Sequence, residues 1–337
     1  MNYKKNELRN LYILIILAVI CFVCSCMLGR YAIDPVTLCK ALLSKILPLT
    51  ASWPPAVETV LFEIRLPRVF MGCLIGAGLS CAGCAYQNTF QNPIVSPDIL
   101  GAANGAGFGA ALGIYLGVGY AGISVFALLS GLTAVGLVCL ISLRFRGNKV
   151  LGLVLTGIMA GAIGAAGTSY IKLIADTHEQ LPAITYWLMG SLASIRRHDV
   201  LFAAPIILAG MVPLFLLRWR INVLTMGDDE ARSMGVDTRK LRGAVIFCAT
   251  LMTAACVSVS GVIGWVGLVI PHIARILVGS DCRVTLPASM LLGGSFLMVV
   301  DNVARLLAQN EIPIGILTAV ISAPFFIYLI LKEGHRL

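Results

Sequence analysis

Long stretches without a charged side chain follow one another along this chain. Asp, Glu, Lys and Arg are absent from residues 69–97, 99–143, 150–171, 201–217, 243–274 and 312–331. A helix needs about 20 apolar residues to cross the hydrocarbon core of a bilayer. The stretches are apolar on every face and do not alternate as the strands of a β-barrel would. The pattern therefore predicts an all-α integral membrane protein.

The apolar stretches divide into about ten transmembrane helices. We predict spans near residues 11–28, 69–90, 99–117, 121–143, 150–171, 200–217, 243–262, 265–279, 284–307 and 312–331. No soluble segment of domain size interrupts them, so residues 1–337 are expected to form a single transmembrane domain. The first stretch follows Lys4, Lys5 and Arg9 like a signal peptide. It is longer than the apolar region of such a peptide and lacks an obvious cleavage site, which favours an uncleaved span.

The distribution of charge indicates how the spans are oriented. Only 12% of the residues are charged, whereas soluble proteins have about 25%. The net charge of +9 comes largely from loops that would be cytoplasmic under the positive-inside rule: 144–149, 218–242, 280–283 and the tail from 332. Both termini and the long loop 218–242 are therefore predicted to lie in the cytoplasm. Arg65 and Arg68, which would lie outside, weaken this bias.

Catalytic and metal-binding motifs are not found in the sequence. Most of the eleven cysteines lie in apolar spans, where cysteine behaves as a small hydrophobe, so neither a metal nor another cofactor is expected. There is no HExxH, GxSxG or GxxxxGK[ST] motif. The chain is therefore not expected to be an enzyme, and any ATP hydrolysis would belong to another subunit.

The loop 218–242 contains a predicted short helix. Acidic residues begin it, which suits the helix dipole, and a glycine follows where a C-cap glycine belongs. This segment consists of Gly227, Asp228, Asp229, Glu230, Ala231, Arg232, Ser233, Met234 and Gly235. It is either a solvated loop helix or a rigid contact for a soluble partner, and the residues alone leave both readings open.

Glycines recur within the predicted spans, and prolines lie at or near the ends of some of them. Gly101, Gly105 and Gly109 recur every four residues, a spacing that lets helix backbones approach closely in a membrane. Two prolines four residues apart, Pro93 and Pro97, predict a re-entrant connection between the second and third spans. The RLPR motif at 65–68 predicts the start of a helix, because proline is tolerated in a first turn.

Taken together, these motifs resemble the permease subunits of ABC importers for ferric siderophores, haem and vitamin B12. The resemblance covers most of the chain from residue 65 onward. It is carried by RLPR at 65–68, GAGLSCAG at 76–83, QNPIVSPDILG at 91–101, WLMGSL at 187–192, GDDEARSMGV at 227–236, GVIGWVGLVIPHIAR at 261–275, DCR at 281–283, LP at 286–287, DNVAR at 301–305 and PIGILTAVISAPFF at 313–326. Trp265 and Cys282 depart from the usual Phe and His.

The resemblance implies an assembly in the cytoplasmic membrane of a prokaryote. Two copies of the permease would pair, two ATP-binding-cassette subunits would dock from the cytoplasm, and an extracytoplasmic binding protein would deliver a metal chelate. Residues 227–235 would form the coupling helix that contacts the ATPase. Spans two to five and seven to ten would form an inverted repeat. The fifth and tenth spans would line the pathway or the dimer interface, through Gly157, Gly161, Gly164, Gly315 and Pro324. The motifs do not distinguish iron chelates, haem, cobalamin and oxyanions.

An ion-coupled secondary transporter is the alternative function. Such carriers usually hold ionisable residues within the membrane for coupling. The candidates here are His272, Arg275, Asp301 and Arg305, all near predicted span ends. We expect structural hydrogen bonding to account for them. An intramembrane enzyme, the third class considered, has no supporting set of residues.

Overall fold

The computed structural model describes residues 2–31, 33–45, 53–145 and 149–333. Over these ranges the chain is helical, without strands, as predicted. The α-helices are α1 (Asn2–Met27), α2 (Pro35–Leu43), α3 (Pro55–Thr59), α4 (Leu66–Thr89), α5 (Ala102–Tyr115), α6 (Tyr120–Leu143), α7 (Lys149–Ile174), α8 (Gln180–Leu188), α9 (Arg197–Leu224), α10 (Asp228–Ser233), α11 (Thr238–Ser260), α12 (Val266–Val278), α13 (Cys282–Leu306) and α14 (Ile314–Glu333).

Seven of the ten predicted spans coincide with helices that are long and apolar enough to cross a membrane. These segments of the described chain are Leu8–Met27, Pro55–Thr89, Tyr120–Leu143, Val150–Ile174, Arg197–Leu224, Thr238–Ser260 and Cys282–Leu306. The other three coincide with α5, α12 and α14, which contain 14, 13 and 20 residues. At about 1.5 Å per residue, α5 and α12 are only about 20 Å long. The spans predicted at 99–117 and 265–279 are thus present, but as helices shorter than a bilayer crossing needs.

Both short helices begin after a segment that is not α-helical. The 3₁₀ turn Pro97–Leu100 and Gly101, at φ +82°, precede α5, while Gly261 at φ +68° and Trp265 at φ +72° precede α12. Irregular backbone is tolerated at membrane depth only where protein encloses it, and Pro97 and Leu100 are indeed buried. The proline-flanked connection before α5 is thus not a plain surface loop.

Helix lengths follow one order in both halves of the chain. A long, a short and two further long helices make up α4 to α7, and the same order recurs in α11 to α14. The second set starts five predicted spans after the first. Because five is an odd number, each helix of the second set would cross the membrane in the direction opposite to its equivalent in the first set. This arrangement is the one that an inverted repeat requires.

The α-helix α4 begins at Leu66 inside the RLPR motif, with Pro67 in its first turn as predicted, but other helical structure precedes it. Helical structure begins at Pro55 and continues through a π-helical turn, Val60–Arg65, into α4. Pro67 lacks an N–H, and its ring would collide with the carbonyl four residues earlier in a regular α-helix. A wider π turn at this place accommodates the proline without ending the helix.

Helix α4 is enclosed by its neighbours α9, α11, α12 and α13. Glycine permits the closest of these approaches. A Cβ atom added to Gly76 would lie 2.2 Å from the carbonyl oxygen of Gly293 in α13. A Cβ atom added to Gly83 would lie 1.8 Å from the carbonyl oxygen of Gly267 in α12. The positions of α12 and α13 therefore depend on the absence of side chains along α4.

We predict that Gly83→Ala destabilises the protein by about 3 kcal/mol, which lies in the upper part of the usual range for an overpacked core. The new methyl group would collide with backbone, which cannot move aside as a side chain can. Gly136→Ala in α6 is the matched control, because open space surrounds a Cβ atom there. The control should be neutral or up to about 1 kcal/mol more stable. Thermal unfolding in detergent measures both variants, and equal melting temperatures would contradict the assigned contact.

Candidate functional site

Helix α10 forms a small projection between α9 and α11. It begins after Gly227 and has three acidic residues in its first turn. Ala231 is completely buried, whereas the side chain of Asp229 is 96% exposed and that of Arg232 is 64% exposed. One face of this helix is therefore fixed to the protein and the other is open to a partner.

Hydrogen bonds close the C-terminal end of α10. The amide of Met234 donates to the carbonyl of Glu230 at 3.1 Å, and that of Val236 donates to the carbonyl of Ala231 at 3.0 Å. Gly235 has a φ of +79°, in the left-handed region that favours glycine. Met234, half exposed, lies at the C-cap. The predicted two-turn helix with a C-terminal glycine is thus present, although its regular part covers only six residues.

A bidentate ion pair joins α10 to α11. The Nη1 and Nη2 atoms of Arg242 donate to the two carboxylate oxygens of Asp228 at 2.8 and 2.6 Å. Bidentate arginine–carboxylate pairs fix orientation as well as distance. Asp237 caps the start of α11 by accepting from the amide of Lys240 at 3.0 Å. A force on α10 therefore reaches α11 directly.

The same end of the molecule carries further bonds between helices. Gln91 donates to the carbonyl of Leu224 at 2.6 Å, which ties the connection after α4 to the end of α9. The side-chain oxygen of Asn222 accepts from the amide of Cys282 at 2.8 Å, which ties α9 to the start of α13. Helix α10 is thus attached to several linked membrane helices and not to a free loop.

Gln87 links α4 to α12. Its side-chain nitrogen donates to the carbonyls of Val95 at 3.2 Å and Leu268 at 3.1 Å. Its side-chain oxygen accepts from Arg275 at 2.6 Å. The intramembrane Arg275 therefore has a structural partner, as expected.

A buried ionic cluster occupies the opposite end of α4. Arg68 donates to Asp301 at 2.8 Å and to Glu311 at 2.8 Å, and Arg305 lies 3.2 Å from Asp301. Arg65 donates to the backbone carbonyls of Cys26, Met27 and Tyr31. Arg65 and Arg68 thus bond internally, which explains why two basic residues occur on the predicted outer side.

Glu311 lies in the loop between α13 and α14. Burial alone would raise the pKa of this carboxyl, but the hydrogen bonds and charge of Arg68 outweigh it and lower the pKa below its ordinary value. The carboxylate form is thus the one that this cluster stabilises. A buried ion pair chiefly fixes geometry, because desolvation offsets much of its attraction.

A family model described as the FecCD transport family matches residues 16–332. The chain belongs to the FecCD transport family. It is 40% identical to the molybdate import system permease of Haemophilus influenzae over 325 residues, 96% of each chain. It is 38% identical to the cobalamin import system permease of Halobacterium salinarum over 290 residues, 86% of this chain and 78% of that one.

Solved structures agree with this membership. A chain from an ABC transporter assigned to the metal-chelate type, in an inward-facing conformation, superposes with a TM-score of 0.86 and 38% identity. The match covers 96% of this chain and 98% of that one. Other FecCD-type relatives bear the names of iron chelatin, ferric citrate and haem permeases. This protein is a multi-pass permease subunit of an ABC importer, and nothing supports an ion-coupled secondary transporter.

The predicted pathway glycines of this FecCD permease face its own helices. Added Cβ atoms at Gly157 and Gly164 would meet the carbonyl oxygens of Ile99 at 2.3 Å and Asn104 at 3.0 Å. At Gly161 the added atom would lie 3.0 Å from the Asn104 amide nitrogen. The structure therefore brings these three glycines together on the side of α7 that packs against α5 and the preceding 3₁₀ turn.

The residues proposed in the last helix lie apart from that group. Gly315 is close-packed, and its amide donates to the carbonyl of Met189 at 3.1 Å. The amide of Ile314 donates to the carbonyl of Gly190 at 2.9 Å, so the start of α14 is joined to the turn after α8. Pro324 is exposed farther along α14.

Sequence reasoning missed two residues of the candidate site, Arg242 and Gln91. Arg242 was counted only as a loop charge, although it fixes Asp228. Gln91 was noted only as part of a motif. In the structure it donates to the carbonyl of Leu224, and its φ of +49° is unusual for a residue other than glycine. No spacing rule connects Asp228 with a residue 14 positions later across a turn, so only the fold reveals that pair.

We predict that Gly235→Ala loosens the end of α10 by about 1 kcal/mol, because a left-handed residue other than glycine is strained. Nothing lies within 4 Å of an added Cβ atom, so no steric clash contributes. Hydrogen exchange of the Met234 and Val236 amides should become about fivefold faster, the equivalent of that free energy. Gly235→Asn should have a smaller effect, and Gly243→Ala, also without a clash, should have none. Unchanged exchange in Gly235→Ala would refute the strained cap.

Proposed function

We propose that α10 is the coupling helix of this importer, through which ATP-driven movement in a cytoplasmic partner reaches the membrane helices. The observation that carries the proposal is the combination of an exposed, capped helix with the bidentate Asp228–Arg242 pair. A helix that transmits force must be accessible to its partner on one face and rigidly attached to the membrane helices on the other. Met234 offers an apolar anchor, and Asp229, Glu230 and Arg232 offer polar contacts around it.

The proposed assembly contains two copies of this permease and two ATPase subunits, with a binding protein on the outer side. Residues 1–337 form one membrane domain within it, and both termini and the loop 218–242 face the cytoplasm. The clustering of basic residues in the loops supports this orientation. The pairing of Arg65 and Arg68 with internal groups removes the main objection to it.

The pathway in this proposal runs beside α7 and α14. Their glycines Gly157, Gly161, Gly164 and Gly315 contribute by holding these helices close to the rest of the subunit. The opposite face of α7 is apolar and exposed in a single copy, with Ile158, Met159 and Ile163 among its residues. We propose that this face, together with exposed residues near Pro324 in α14, lines the dimer interface or the pathway.

A metal chelate is the substrate class we favour. Permeases for cobalamin, ferric citrate and haem are among the relatives, and the solved neighbour is assigned to the metal-chelate type. An oxyanion is the second candidate, because the molybdate permease is similar over 96% of both chains.

Replacing Met234 tests the coupling function. Met234→Asp should weaken association with the ATPase subunit about tenfold or more, since a buried apolar anchor typically contributes at least about 2 kcal/mol to an interface. ATP hydrolysis by the complex should then no longer drive uptake. The residue is half exposed, so insertion of the permease into the membrane should be unchanged.

The matched control is Asp229→Asn, which changes a rim contact on the same helix and should alter binding only slightly. Insertion, ATPase binding and uptake are measured on the same preparations. Normal values for all three in Met234→Asp would show that α10 is only a solvated loop helix.

Uptake measurements separate the two substrate classes. The complete complex, reconstituted with its binding protein, is supplied with radiolabelled ferric siderophore, cobalamin or molybdate. ATP-dependent accumulation of a chelate supports the favoured class. Accumulation of molybdate alone would replace it with the oxyanion class while leaving the coupling helix unaffected.

A further inference from the structure

A cavity of about 710 Å³ lies beside α10. The ends of α4 and α6 and the starts of α7 and α11 enclose it. Gly227, Asp228 and Arg232 line it from α10, whereas Met234 and Asp229 do not. Its size falls within the range of sites for small organic ligands, about 300–1,000 Å³. Met234 and Asp229 of the proposed ATPase-facing surface thus lie outside the cavity, whereas Arg232 borders both.

Two buried donors at this cavity have no partner among the described residues. The hydroxyl of Thr89 makes no hydrogen bond although this residue has no exposed surface. The Nε atom of Arg242 is likewise buried and unpaired, while its two terminal nitrogens bind Asp228. A buried donor without an acceptor costs about 1–3 kcal/mol. Both residues line the cavity, so an oxygen-rich ligand there would lie next to these donors.

The charge of the cavity wall selects an anion. Among the described lining residues, three arginines (Arg232, Arg239 and Arg242) outnumber the carboxylate of Asp228. Arg239 is exposed, and the exposed Arg232 lies 3.9 Å from Asp229 outside the cavity. Phosphate oxygens are good acceptors for arginine and hydroxyl donors together.

The rest of the wall is apolar and continuous with the membrane-facing surface. Phe90, Leu143, Val150, Leu153 and Ile246 line the cavity. Leu143 is also 66% exposed, and its neighbours Leu140 and Ile141 present a further exposed apolar surface on α6. A ligand with a phosphate in the cavity could therefore extend an acyl chain along α6 without leaving apolar surroundings. A soluble anion would leave these apolar groups unused.

We propose that this cavity binds the headgroup of an anionic phospholipid from the cytoplasmic leaflet. The phosphate accepts hydrogen bonds from Thr89 and Arg242, Arg239 supplies charge, and an acyl chain lies against α6. Because Arg242 also binds Asp228, the lipid adjoins the ion pair that fixes α10. The lipid composition of the membrane then influences how firmly the coupling helix is attached.

The test measures phospholipid retained by the permease after extraction from vesicles of phosphatidylcholine with and without phosphatidylglycerol. Mass spectrometry quantifies the retained lipid, with the ATPase subunits present and absent. The wild type should retain phosphatidylglycerol selectively. Arg239→Gln should retain it about fivefold less, since one arginine near an anionic surface contributes about 1 kcal/mol. Arg220→Gln, an exposed arginine of α9 outside the cavity, should retain it normally.

Thr89→Val is a second, independent variant. It preserves the shape of a buried side chain and removes only an unpaired hydroxyl, so the fold should be as stable as before or more stable. Retention of phosphatidylglycerol should nevertheless fall, which separates lipid binding from misfolding.

Three results would overturn the proposal. Equal retention of the two lipids by wild type and variants would mean that the cavity holds only water. Displacement of the lipid by inorganic phosphate would identify a site for soluble anions. Loss of ATPase binding in Arg239→Gln with unchanged lipid retention would assign these arginines to the protein partner.

Discussion

Close contact between helix backbones determines where the helices of this permease lie. Lipid tails are as apolar as leucine, so burial of apolar side chains does not by itself drive helices together in a membrane. Gly76 and Gly83 let α13 and α12 reach the backbone of α4, and Gly157 lets α7 reach the 3₁₀ turn before α5. The two short helices depend on the same contacts, because their irregular starts must be enclosed by protein. Van der Waals contact between backbones thus replaces the hydrophobic core of a soluble protein.

Hydrogen bonds and ion pairs at the two ends of α4 fix the register of the packed helices along their axes. At one end Arg68 joins α4 to α13 and the following loop through Asp301 and Glu311. At the other end Gln87 joins α4 to α12 through Leu268 and Arg275. Glycine contacts alone would allow helices to slide along each other, whereas buried charges that must meet their partners allow one register. Such pairs specify geometry more than they stabilise it.

Much of the fold could be predicted from the sequence, because uncharged stretches long enough to cross a membrane rarely form any other structure. The cap of α10 was also predictable, since acidic residues and Gly235 carry their conformational preferences locally. Hydropathy placed α12 in a short span, 265–279, but extended the span of α5 to 99–117, because Ile99 and Leu100 are apolar although they belong to a 3₁₀ turn. The π turn before Pro67 was missed for a related reason: proline in a first turn and proline after a π turn look alike in sequence. Contacts such as Asp228–Arg242 depend on tertiary structure and leave no local pattern.

The position of α10 explains how so short a helix can be stable. Six residues cannot hold a helix together in water, where isolated helices need about 12–15 residues to be even marginally stable. Here the buried Ala231, the bonds at the cap and the Asp228–Arg242 pair supply that stability from outside the helix. Those contacts are also the ones that join α10 to α11, while Gln91 and Asn222 join the end of α9 to the connection after α4 and to α13. The interactions that make α10 a helix are therefore the same ones that would carry its displacement into the membrane.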